Sequence, residues 1–183
     1  MTDSADQHTF AERSLADAGC RPPYLRLGCR PRQYFGQPDM PEISGGCYCG
    51  NVGLVAAFSQ DLAAFDPRVC DCDFCRKHAA AYVSDPVGSL RIQIRDDREV
   101  HRFRQGSNTA EMLLCRTCGV LVGALYRESH RLFGTVNVRV LDSRVSFGPE
   151  RGVSPKLLSP NQKVQRWRDI WFPDVRLDIE GSS

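Results

Sequence analysis

The sequence predicts an all-β domain, and three observations lead there. Apolar residues come in short runs, not long ones. Within the clearest run they alternate with polar residues, the period of a half-buried strand. Gly, Asp, Asn and Pro fill the gaps between runs, as in "RDDRE" and "RQGSNT". Many short strands joined by close turns point to a sandwich or barrel-like architecture.

Residues 1–42 read as an N-terminal extension, distinct from a domain over 43–183. "CRPPYLRLGCRPRQYFGQPDMPE" is rich in Pro, Arg and Gly and has no regular period. A short helix over Ala11–Ala18 is the one regular element expected there. Cys20 and Cys29 lack ligand-like spacing and read as free thiols. Strands are expected at "NVGLVAAF" (51–58), "AAAYVS" (79–84), "SLRIQI" (89–94) and "EVHRFR" (99–104). Three more are expected at "AEMLLC" (110–115), "VLVGALY" (120–126) and "RLFGTVNVRVL" (131–141). In the third of these seven, Leu90, Ile92 and Ile94 alternate with Ser89, Arg91 and Gln93. In "SPNQKVQRWRDIWFPD", Val164, Trp167 and Trp171 fall at i, i+3 and i+7. That spacing predicts a short C-terminal helix packed on the core and ended by Pro173.

The chain has 183 residues, of which 42% are hydrophobic and 25% charged. A domain of this size buries a core without needing metal to hold it together. The formal charge of +2 lacks the basic excess of a dedicated nucleic-acid binder, so no nucleic acid is expected. No run approaches ~18 apolar residues, so no membrane span is expected. The first twenty residues have early acids and no apolar core, unlike a secretory signal. Nine cysteines without an export signal imply a reducing, cytoplasmic setting. There, clustered cysteines read as metal ligands or catalysts before disulfides.

Seven of them form three groups within the β region: "GGCYCG", "CDCDFC" and "CRTCG". The outer groups supply four sulfurs, Cys47, Cys49, Cys115 and Cys118. Cys-x-x-Cys on a tight turn places two thiolates on one zinc. Gly50 and Gly119 follow the two pairs and accept left-handed backbone. A structural four-cysteine zinc is the simplest assignment. A redox pair and an iron–sulfur cluster are the weaker alternatives, and a Cys47–Cys49 disulfide would close a strained ring. The middle group, Cys70, Cys72 and Cys75, has three sulfurs. Structural zinc sites are closed by four protein ligands, and catalytic ones keep a position open. The triplet therefore suits a catalytic zinc with an exchangeable fourth ligand. Asp71, Asp73 and His78 are the nearby residues that would otherwise close it.

"GGCYCGNV", "CDCDFCRKHAAA" and "LLCRTCG", in this order, resemble the glutathione-dependent formaldehyde-activating family, which includes centromere protein V-like members. The resemblance spans about Ser44 to Leu141. It implies a zinc-binding β-tent fold. It implies two zincs per chain, one structural on Cys47, Cys49, Cys115 and Cys118 and one catalytic on Cys70, Cys72 and Cys75. It also implies carbon–sulfur lyase chemistry, the reversible joining of glutathione and formaldehyde as S-hydroxymethylglutathione. The expected partners are thus a small thiol and a small aldehyde.

Zinc deprotonates a coordinated thiol, and three thiolates leave the metal better suited to activating a thiol than to polarising a carbonyl. Such a site needs positive charge nearby. Arg76 and Lys77, directly behind the triplet, are the first candidates for binding the substrate or the zinc–sulfur unit. Asn137 and Arg139 are next, since a strand through "VNVR" would put both on one face. Tyr82 and Ser84 are weaker candidates on the strand after the triplet. Two other readings remain at this stage. One is a non-catalytic zinc module that carries glutathione or docks a protein. The other is a reductase for oxidised methionine, using a cysteine outside the structural zinc.

Overall fold

The computed structural model describes residues 40–142 and 146–180. The helix expected at Ala11–Ala18, and Cys20 and Cys29, lie outside the described residues. The strands run in chain order as β1 (Glu42–Gly46), β2 (Val52–Ala57), β3 (Arg68–Cys70), β4 (Ala81–Val83), β5 (Ser89–Ile94) and β6 (Val100–Arg104). They continue as β7 (Glu111–Cys115), β8 (Leu121–Glu128), β9 (Arg131–Asn137), β10 (Arg151–Val153) and β11 (Asp174–Ile179). Two α-helices interrupt them: α1 (Asp73–Lys77) directly after β3, and α2 (Pro160–Ile170) before β11.

The all-β class holds. One sheet has the order β1-β2-β5-β11 and the other β10-β3-β4-β9-β8-β7-β6. Both are open, and neither closes into a barrel. The smaller sheet reads as its period predicts. Val52, Leu54 and Ala56 of β2 and Leu90, Ile92 and Ile94 of β5 are all buried, with Leu54 opposite Ile92. They join Leu113, Val122, Val136 and Phe172 in the main core cluster. Each such side chain contributes about 1.5–3 kcal/mol on leaving water.

The middle of the larger sheet, at β8 and β9, is covered on both faces. In β8, Val122 and Leu125 enter the main core, while Leu121, Ala124 and Tyr126 enter a second cluster with Tyr82, Phe133 and Trp171. Double-sided burial is why "VLVGALY" is a continuous apolar run and does not alternate. α2 packs Val164, Trp167 and Ile170 on this second cluster. The helix starts where a capping box closes it. Gln162 N donates to Ser159 Oγ at 3.3 Å, and Ser159 N donates to Gln162 Oε1 at 2.8 Å. It ends at Ile170, with Trp171 as its C-cap, two residues before Pro173.

Strand β9 is shorter than expected. It stops at Asn137, and Val138–Val140 form a 3-10 turn, so Asn137 and Arg139 do not share a strand face. The cause is local. Asn137 Oδ1 accepts from Arg139 N at 3.3 Å, and a side-chain bond of that kind competes with the sheet ladder. Beyond the turn, Leu141 bridges back to Gly45. A Cβ on Gly45 would lie 2.3 Å from Val140 O, so this approach excludes any larger residue.

Candidate metal and substrate site

The turn from β1 to β2 carries Cys47 and Cys49, and the turn from β7 to β8 carries Cys115 and Cys118. Both turns close through glycine in left-handed backbone, Gly50 at φ 79° and Gly119 at φ 73°. Gly50 N donates to Cys47 O at 3.1 Å and Gly119 N to Cys115 O at 2.9 Å. The four Sγ atoms all lie within 4.8 Å of one another. Cys47 and Cys49 are 3.6 Å apart and Cys49 and Cys115 3.4 Å. A disulfide needs about 2.05 Å. Four sulfurs at about 2.3 Å around a tetrahedral zinc are about 3.8 Å apart.

Cys47 and Cys115 are each only 1% exposed. Burial pushes the Cys47 thiol up to about 12. Burial would raise the Cys118 thiol, but the backbone amides of Cys49 and Val120 and the hydrogen bonds of the Cys115 and Cys49 sulfurs together bring it down to about 7. Val52 N also donates to Cys47 Sγ at 3.2 Å. Buried sulfurs, amide donors and the observed spacing fit a soft divalent cation in this group.

The second group is local. Cys70 ends β3, Cys72 is the N-cap of α1, and Cys75 lies in that helix. Their sulfurs also fall within 4.8 Å of one another and could hold a metal ion. Cys70 is brought down to about 6, chiefly by the hydrogen bond from Cys75. That same bond, together with burial, pushes Cys75 up. Tyr82 Oη lies 3.4 Å from Cys75 Sγ. Burial, then the charge of the neighbouring sulfurs, raises the Tyr82 phenol well above its ordinary value.

Among the described residues, no histidine or carboxylate completes this set. The His78 ring faces Phe74, 4.6 Å between centroids. Asp73 is exposed. Asp71 Oδ2 accepts from Ser154 Oγ at 2.8 Å and pairs with Lys156 Nζ at 3.0 Å, while its Oδ1 is buried without a partner.

The triplet opens on a cavity of about 230 Å³ that all three cysteines line. Arg68, Lys156, Lys163 and Arg166 bring positive charge to its wall, and Tyr82, Trp167 and Trp171 form its aromatic side. Arg76 and Lys77 are exposed at the end of α1 and do not line the cavity. Asn137 is buried, with Nδ2 donating to Leu121 O at 3.0 Å. Arg139 donates to Ala79 O at 3.2 Å and pairs with Glu150 at 2.5 Å. The structure therefore brings the three cysteines and Tyr82 together, but neither Arg76 and Lys77 nor Asn137 and Arg139. Ser84 is buried and does not line the cavity, but it accepts from Arg68 Nη2 at 2.5 Å.

The cations that do reach the cavity had a faint sequence signal. Arg68 is two residues before Cys70, the same face of a strand. Lys163, Arg166 and Trp167 are three and four apart, one face of a helix.

A family model described as glutathione-dependent formaldehyde-activating enzyme matches residues 42–154. A crystal structure of a Rhodobacter sphaeroides protein is similar at 32% identity, covering 55% of this chain and 88% of that one, with a TM-score of 0.41.

Proposed function

The chain belongs to the glutathione-dependent formaldehyde-activating enzyme family, and from that premise we propose that it is a zinc-dependent carbon–sulfur lyase. It joins or splits a glutathione-like thiol and a small aldehyde, in the manner of S-hydroxymethylglutathione synthesis. One observation carries this reading: the sulfur triplet opens on a cavity lined with cations and aromatic rings, whereas the four-sulfur group sits in turns packed against the main core. Cys47, Cys49, Cys115 and Cys118 would hold a structural zinc, and Cys70, Cys72 and Cys75 a catalytic one.

Zinc bound to the triplet would lower the pKa of a visiting thiol and leave it nucleophilic at neutral pH. The chain's own groups do the rest. In the splitting direction, the carbon–sulfur bond breaks, sulfur keeps the electron pair, and the hydroxyl proton passes to water and ends on the released thiol as the aldehyde forms. Tyr82 holds its proton because its phenol is raised, so it donates toward Cys75 Sγ and is no base. Trp167 and Trp171 wall one side of the cavity and limit water there. Arg166 faces Cys70 closely enough for the two charges to interact and offsets negative charge on the sulfurs.

The test is the exchange rate between formaldehyde and S-hydroxymethylglutathione, read by two-dimensional exchange NMR with the zinc-loaded full chain. The expected outcome is exchange above the spontaneous rate, lost in Cys72→Ser. A spontaneous rate unchanged by the protein, across thiols and aldehydes, would leave a non-catalytic module that binds a thiol or a protein.

A further inference from the structure

Two arginines in the cavity have no carboxylate to pair with among the described residues. Arg68 donates from Nη2 alone, to Ser84 Oγ at 2.5 Å and Thr135 Oγ1 at 3.3 Å. Both acceptors are anchored in turn, Ser84 Oγ donating to Ile170 O at 2.6 Å and Thr135 Oγ1 to Val83 O at 2.9 Å. This fixes the guanidinium while leaving most of its N–H groups for something else. Arg166 makes no hydrogen bond or ion pair among the described residues, and it lines the same cavity. Arg68 and Arg166 line one cavity, so their charges face the same half-enclosed space. Like charges held together in a half-enclosed space are costly unless an anion joins them. Lys163 also lines the cavity without an ion pair among the described residues, whereas Lys156 is already paired with Asp71. A zinc held by three thiolates carries only one net negative charge, which three unpaired cations exceed.

The second observation concerns where these groups come from. Residues 42–154 carry the family match, yet Lys163, Arg166, Trp167 and Trp171 all lie beyond it, on α2 and its C-cap. The family domain supplies the sulfurs and Arg68, and the appended helix supplies the facing wall.

We infer that Arg68 and Arg166 form a carboxylate-binding pair over the sulfur triplet, and that α2 thereby makes this chain select a thiol substrate that carries a carboxylate. This rests on the thiol–aldehyde reading of the site. The guanidinium forks suit bidentate carboxylate pairing, and the nearby rings suit the apolar part of a peptide-like thiol. Neutral thiols of similar size would leave the pair uncompensated.

The test uses S-methylglutathione, which has the carboxylates but neither a free thiol nor a hydroxymethyl group. Its binding to the zinc-loaded full chain is compared by calorimetry with that of its dimethyl ester. The free acid is expected to bind at least roughly ten-fold more tightly, the scale of a charge-assisted pair. Arg166→Met is expected to abolish that preference, and Arg166→Lys to restore part of it. Arg166 is half-buried on a helix with no fully buried residue, so its variants are expected to fold; melting curves and zinc content check this. Equal binding of acid and ester overturns the inference, as does a preference that survives Arg166→Met. A variant that loses zinc while keeping the preference also overturns it, since the arginine would then serve the metal. Because the probe cannot react, a lyase that shows no turnover can still show the preference. Turnover with no preference would keep the lyase and sink the pair.

Discussion

The two sulfur groups are built in opposite ways from the same side chain. The four-cysteine group gathers residues far apart in sequence, with Cys49 and Cys115 separated by 66 positions. Cys47 and Cys115 belong to the main core cluster, which both sheets line. The three-cysteine group comes from one local stretch at the end of β3 and the start of α1. Its sulfurs meet a cavity, not a core. Closure over a long loop suits stability, because it removes freedom that the unfolded chain would otherwise keep. An open, local set adds little of that kind and leaves room for a ligand. The difference predicts that damage to the two groups will be separable.

The largest effect should follow Cys115→Ser. Structural zinc contributes on the order of 10 kcal/mol in small peptides, comparable to the whole stability of a domain, about 5–15 kcal/mol. This domain also has an apolar core of its own, so a large fall in melting temperature is expected, together with loss of zinc, read by calorimetry and metal analysis. A Cys115→Ser protein that melts like wild type would break the contrast at its root. Cys72→Ser is the matching experiment at the open group. Zinc should fall from two per chain to one and aldehyde–thiol exchange should vanish, with the melting transition close to wild type. A chelator titration should likewise strip one zinc early and the other only as the protein unfolds.

How much of this was legible in the sequence also divides along the same line. The cysteine groups could be read directly, because ligand spacing is local and Gly50 and Gly119 mark the turns. The strands of the smaller sheet were legible where burial is one-sided, as in Leu90, Ile92 and Ile94. The short strands β3 and β10 were not, since three residues carry no period and their parallel pairing joins Cys70 to Val153. Strand β11 had a usable signal, Val175, Leu177 and Ile179 alternating with charges, beside a parallel partner in β5. The cavity wall was the least legible part. Arg76 and Lys77 are neighbours of the cysteines in sequence, but the last turn of α1 leaves them exposed. Arg68 and Arg166 reach the cavity from two elements that only the fold brings together.

Trp167→Ala tests whether α2 belongs to the open group as the appended helix should. Its ring stacks on Trp171 at 5.1 Å and tilts against Tyr126 at 5.3 Å between centroids. Removing a half-buried indole should cost about 2 kcal/mol of stability. The Michaelis constant for the thiol should rise more than the turnover number falls, because the sulfurs are untouched. A pure stability loss with unchanged kinetics would detach α2 from the site.

The smallest effect sharpens the same point from the helix end. Ser159 caps α2 through the reciprocal bonds with Gln162, and it contacts neither sulfur group. Ser159→Ala should cost about 1 kcal/mol and loosen the first turn, which holds Pro160 to Lys163. Lys163 lines the cavity from that turn, while Trp167 and Trp171 anchor the far end. A cap lost at the near end should therefore weaken thiol binding slightly and leave both zincs in place. Hydrogen exchange should show the change confined to α2. If exchange instead quickens in the turns bearing Cys47 and Cys115, then the helix and the closed group share one cooperative unit, and the two sulfur sites are less independent than their packing indicates.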